Sequence, residues 1–248
     1  MASNSETGHP KNVANFEDLI SFCTGYGATY NPVKVSIKLV ALNTLRTAAQ
    51  GTITAVITAG TSFINATNSR VIVFDPIKKL ATRIVNALAA TDATNEMVED
   101  AKSINRKIQG TRKSKNPPPP PPDPENPDAP QPDGTSSSQQ SYDSLIENFA
   151  KLIDLVSSEP TYTPNEVELQ VATLTAMVTD MRAKNTAVVS ATTAISNARI
   201  ARNKTLYQDK TGLYDIAQEV KKYVKSLFGA TSPEYKQVSK IKFTKPRN

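Results

Sequence analysis

The sequence predicts an all-α protein: two tandem, related, elongated helical modules joined by a Pro-rich linker. Each module reads as a short helix, a long helix of about 40 residues, a shorter helix and a basic tail. Three observations carry this reading. Apolar and small residues recur with helical spacing, the two halves match at a nearly constant offset, and a run of prolines stands between them. The boundaries that follow are a disordered N-terminal tail at 1–14, module 1 at 15–112, the linker at 113–141 and module 2 at 142–248.

Short helices are predicted over Phe16–Thr24 and Tyr142–Ser157, where Phe16-Glu17-Asp18-Leu19-Ile20 faces Tyr142-Asp143-Ser144-Leu145-Ile146. Tyr30-Asn31-Pro32 then faces Tyr162-Thr163-Pro164 at an offset of 132. At that offset Val35, Ile37, Leu39, Leu42 and Leu45 meet Val167, Leu169, Val171, Leu174 and Met177. The stretch Gly51–Ile64 is rich in Thr, Val and Ile and passes for a strand on propensity alone. Its counterpart Ala183–Ser196 lies within helical spacing, so both are read as helix. The long helices are expected over Pro32–Phe74 and Pro164–Lys210, each on the order of 65 Å long.

Spacing that alternates between threes and fours marks a seam for packing another helix. Its members are Val35, Leu39, Leu42, Ile53 and Val56 in the first half, and Val167, Val171, Leu174, Val188 and Ile195 in the second. The seam is rich in Ala, Thr and Ser, and small side chains bury little area at about 25 cal/mol per Å². The modules are therefore expected to pack together or to self-associate.

Asp75-Pro76 and Thr211-Gly212 read as matched starts of the next helix. Ile77, Leu80, Ala81, Ile84, Val85 and Leu88 line one face of it, as do Leu213, Ile216, Ala217, Val220, Tyr223, Val224 and Leu227 in the second half. Gly229 is expected as a left-handed cap. A further helix is expected over Asn95–Ile108, while Ser232-Pro233 makes the second tail less regular. Six prolines, Pro117–Pro122, lack amide donors and form a polyproline II rod of about 19 Å. A spacer is the expected role, with a docking ligand for a proline-binding domain as the alternative.

The search for chemistry returns little. One cysteine, Cys23, excludes an intramolecular disulfide, and the one histidine, His9, lies in a polar stretch, which removes His-based metal sites and His-assisted nucleophiles. Gly25-Tyr26-Gly27 lacks the rest of a dinucleotide fingerprint and reads as a helix-ending turn. Glu96, Glu99 and Asp100 suit the first turn of a helix, and Glu166 and Glu168 point to different faces. The protein is expected not to be an enzyme and to need no cofactor, metal or small-molecule substrate.

The net charge is +6. Basic residues gather at the module ends, where Arg106, Lys107, Arg112 and Lys113 close the first and Lys236, Lys240, Lys242, Lys245 and Arg247 close the second. They suit the negative ends of helices, and equally a phosphate-backbone footprint. Residues 1–15 are polar, and the apolar stretch from Ile53 to Ile64 is short and interrupted, so a cytoplasmic protein without signal peptide or transmembrane segment is expected. The expected function is that of a structural or scaffold protein acting through helix-face contacts with a protein partner or with itself. Nucleic-acid binding through the basic tails is the alternative, and a membrane-active helix over Gly51–Ile64, without stable insertion, is a weaker one.

Overall fold

In a computed structural model, residues 8–110 and 140–246 are described, and they hold helices and no strand. The helices are α1 (Gly8–Gly25), α2 (Leu39–Phe74), α3 (Ile77–Ala89), α4 (Asn95–Gln109), α5 (Tyr142–Ser157), α6 (Val171–Tyr207), α7 (Leu213–Phe228) and α8 (Pro233–Ser239). Short 3-10 turns occupy Gly27–Thr29, Val35–Ile37 and Val167–Leu169.

The chain divides into two compact units that do not follow the two sequence halves. The first comprises 1–64 with 190–248, and the second comprises 65–189. Helix length supplies the reason. A 36-residue helix such as α2 extends roughly 54 Å, so the short helices before and after it cannot share one core. Each must find its apolar partner in the other half of the sequence.

The two cores show this exchange residue by residue. In the first unit Phe16, Leu19, Ile20 and Cys23 of α1, with Leu42, Ala49 and Ile53 of α2, pack on Leu206 and on Leu213, Ile216, Ala217, Val220 and Val224 of α7. In the second, Ile146, Phe149, Leu152, Ile153 and Val156 of α5, with Leu174, Val178 and Met181 of α6, pack on Phe74, on the apolar face of α3 and on Ala101 and Ile108 of α4. Each fully buried Leu, Ile or Phe contributes about 1.5–3 kcal/mol, which the small residues of the long helices cannot match.

The long helices begin seven residues later than the spacing predicts. Tyr30 Oη donates to the Ile37 carbonyl at 2.7 Å, and Tyr162 Oη donates to the Leu169 carbonyl at 3.0 Å. Each bond closes a compact turn in which Ile37 or Leu169 is buried and the next residue, Lys38 or Gln170, is extended. Val35 and Val167 consequently leave the expected seam and stand 70% and 65% exposed. Residues 8–14, expected as disordered tail, form the first turns of α1, with His9, Asn12 and Val13 buried. Asp75 does not cap α3, which starts after Pro76 without a side-chain cap. At Gly212 a Cβ would lie 2.6 Å from the Gln208 nitrogen, so only glycine fits this start of α7. Gly229 ends α7 with a positive φ of 92°, but its ψ of 158° lies outside the left-handed region expected of this cap, an extended conformation that only glycine takes readily.

Two ion pairs join the halves of the sequence. Lys34, before the turn Val35–Ile37, meets Glu219 of α7 at 2.6 Å, and Glu168, in the turn Val167–Leu169, meets Arg83 of α3 at 2.5 Å. Arg83 and Glu219 each lie six residues after the first residue of their helix, whereas Lys34 and Glu168 are not equivalent positions, since the offset of 132 pairs Lys34 with Glu166.

The Pro-rich linker lies outside the described residues except for its end at Gln140 and Ser141. The residues that flank it meet: Gln140 Nε2 donates to the Lys107 carbonyl at 2.9 Å, over the left-handed cap Gly110. The described residues on either side of it, Gly110 and Gln140, therefore lie together.

Removing either tyrosine hydroxyl leaves a buried carbonyl without its donor, a cost of about 1–3 kcal/mol. Tyr30→Phe and Tyr162→Phe should each lower the urea midpoint by that equivalent with an unchanged m-value. A midpoint equal to that of the parent would show that these bonds do not hold the turns.

Candidate interaction surfaces

Among the described residues no three His, Cys, Asp or Glu side chains gather as a metal site. A cleft in the second unit is lined by Arg83, Thr91, Tyr162 and Glu166 among others. Its Arg83 is bound to Glu168 and its Tyr162 hydroxyl to the Leu169 carbonyl. The Arg83–Glu168 hydrogen bond raises the guanidinium and lowers the carboxyl from their ordinary ranges. Cys23 is fully buried, and desolvation pushes its thiol up to about 12. It acts as a small apolar core residue. Gly25 ends α1 and Gly27 takes a φ of 60°, as a turn at this place requires.

The basic residues separate into two groups. Arg106 and Lys107 close α4 in the second unit, whereas Lys236, Lys240, Lys242 and Lys245 lie in the first. Arg112, Lys113 and Arg247 lie outside the described residues. Counted over whole units, the first carries 16 Lys and Arg against 7 Asp and Glu, and the second 13 against 16. The net charges are therefore +9 and −3.

The second basic tail is a docked structure. Ser232 Oγ accepts the Tyr235 amide at 3.1 Å and starts α8, with Pro233 at a position where its missing donor costs nothing. Beyond α8 the chain runs without helix, and Ile241 and Phe243 turn inward while Lys242 and Thr244 are exposed. Asn12, 1% exposed, holds this segment by its amide: Nδ2 donates to the Thr244 carbonyl at 2.7 Å and Oδ1 accepts the Thr244 amide at 3.0 Å. Asn15 Nδ2 donates to the Lys242 carbonyl at 2.6 Å. Phe243 meets Phe16 edge-on at 6.5 Å, and Lys221 donates to the Ile241 carbonyl. Burial lowers the Lys221 ammonium from its ordinary value.

Asn12 also donates to Tyr207 Oη at 3.1 Å, and His9 Nδ1 lies 2.7 Å from the same oxygen. Burial raises the Tyr207 phenol. Nothing in the sequence singles out Asn12, Asn15 or Tyr207. The alternation Ile241-Lys242-Phe243-Thr244 is the one local signal that this tail is extended and half-buried.

The seam residues divide by depth. Leu42, Ile53, Val56, Leu174 and Val188 are buried, and Leu39, Val171 and Ile195 are half-buried. The opposite faces of the long helices remain apolar in part, with Val40, Ile57, Ile64 and Ile200 of the first unit and Val71, Ile72 and Val189 of the second at least half exposed. Among the described residues no helix is long and apolar enough to cross a membrane.

The buried acids of the first core fix a pH response. Cys23 and Tyr26 are each pushed up to about 12, and Tyr30 is raised as well, by desolvation above all. A raised folded-state pKa contributes stability that is complete below the unfolded value and is lost as pH rises through the folded one. Stability should fall as pH climbs from about 9 toward 12, measured by urea midpoints. A thiol reagent at pH 8 should modify Cys23 only on unfolding; rapid modification of the folded protein would contradict the burial.

Compared with known proteins, the chain matches no family model, and no curated protein or solved structure matches it.

Proposed function

We propose that the protein is a non-enzymatic structural protein of the cytoplasm that assembles with copies of itself through the outer faces of its long helices. One observation carries the reading. Every strongly exposed large apolar residue identified among the described residues lies on α2, on α6 or on the segments leading into them: Val33, Val35, Val40, Ile57, Ile64, Val71, Ile72, Val167, Val189 and Ile200. Single exposed apolar residues are ordinary on a protein surface, but their confinement to one pair of elements marks a contact face. The charges name the occupant. A unit at +9 attracts a unit at −3, so the first unit of one copy is drawn to the second unit of another.

The proposal includes a duplicated origin for the two halves, joined by the Pro-rich stretch 113–141. Its support is the shared element order, the paired Tyr30–Ile37 and Tyr162–Leu169 bonds at an offset of 132, and Arg70 and Arg202 at the same offset.

Light scattering coupled to size exclusion tests the assembly. The full chain should elute above the mass of one copy, and Ile57→Glu with Ile64→Glu, seven residues apart on one face of α2, should return it to that mass with helicity unchanged. A wild-type chain that stays at the mass of one copy at every attainable concentration overturns the reading.

A further inference from the structure

Beside α7 the docked tail builds a ridge of positive charge. The tail runs antiparallel to the helix: Lys245 stands 5.9 Å from the Tyr214 ring, Lys221 stands 5.1 Å from Phe243, and Lys225 stands 5.7 Å from Tyr235. From Tyr214 to Lys225 the helix rises about 16 Å. Along this length Lys222, Lys225, Lys236, Lys240, Lys242 and Lys245 are all exposed. No ion pair engages any of these six among the described residues. The acids nearby are Asp215, Glu219 and Glu234, of which Glu219 is bound to Lys34 and Asp215 accepts the Lys210 amide.

The tail is held through its main chain. Asn12 binds both polar atoms of Thr244, and Asn15 binds the Lys242 carbonyl. The lysine side chains of the tail are thereby left over, at fixed positions, in a unit whose net charge is +9. We propose that this ridge binds the phosphodiester backbone of nucleic acid without reading its sequence. A row of fixed cations releases counterions from such a backbone, and recognition by charge alone needs no base contact. Two features set the ligand class. None of the strongly exposed large apolar residues lies on α7, α8 or 240–246, so the ridge lacks the apolar face by which a helix enters a lipid surface. The rings of Tyr235 and Phe243 are half-buried beneath lysines, which favours contact with phosphates over stacking of bases.

Fluorescence anisotropy of the full chain with a labelled DNA duplex of random sequence, and with one of its strands, tests this between about 50 and 200 mM salt. Both probes should bind, with a logarithmic salt slope of roughly −3 to −5. Lys240→Gln with Lys242→Gln and Lys245→Gln should weaken binding at least about tenfold and reduce the slope by about three, one for each cation removed. Lys79→Gln with Lys107→Gln and Lys151→Gln removes as many charges from the second unit and should leave affinity within about twofold. Asn12→Ala, which alters no charge but frees the tail, should also weaken binding; if it does not fold, Asn15→Ala replaces it. Three results overturn the proposal: no salt-dependent binding, equal losses in the two triple variants, or equal binding to vesicles of anionic lipid.

Discussion

The length of the two long helices constrains everything else in this protein. A helix of 36 or 37 residues carries the chain roughly 55 Å, far beyond the span of one small core. The short helix before it and the helix after it therefore cannot cover each other. Each has a continuous apolar face, and burial of those faces supplies most of the stabilisation available to a chain with 6% aromatic residues. The faces find partners largely by exchange, α1 with α7 and α5 with α3 and α4, while α3 also packs on α4 and α7 on α8 within their own halves. Two cores result, and neither can form from one half of the sequence alone.

Polar contacts decide the details of that exchange. The tyrosines at 30 and 162 tie down short turns, delay the long helices and place Ile37 and Leu169 in the cores. The ion pairs Lys34–Glu219 and Glu168–Arg83 each join one half of the sequence to the other. Exposed pairs of this kind contribute little to total stability beside the apolar cores.

The two halves of the sequence differ most at their ends. In the first half the chain closes with α4, an amphipathic helix capped by Thr94 and Gly110. In the second it closes with the single turn pair of α8 and an extended segment pinned by Asn12. The second ending puts lysines where the first puts a helix face. Together with the acids of 65–189, this leaves one unit strongly basic and the other mildly acidic.

Much of the architecture was legible locally. The 3.6-residue spacing of Ile77 through Leu88, of Leu213 through Val224 and of Tyr142 through Ser157 marked helices because a buried face imposes that period on any helix. Gly229 marked a helix end because its backbone freedom is intrinsic to the residue, whereas Ser232-Pro233, which reads as an irregularity, starts α8. The absence of a triad or metal motif was also a matter of residue inventory. The tertiary structure alone decided which helix faces which, since an apolar stripe states that it must be covered and not by what. It alone made α1 begin at Gly8 and turned Asn12 into the anchor of a tail 232 residues away, because an asparagine side chain gains its role only from the partners that folding brings to it.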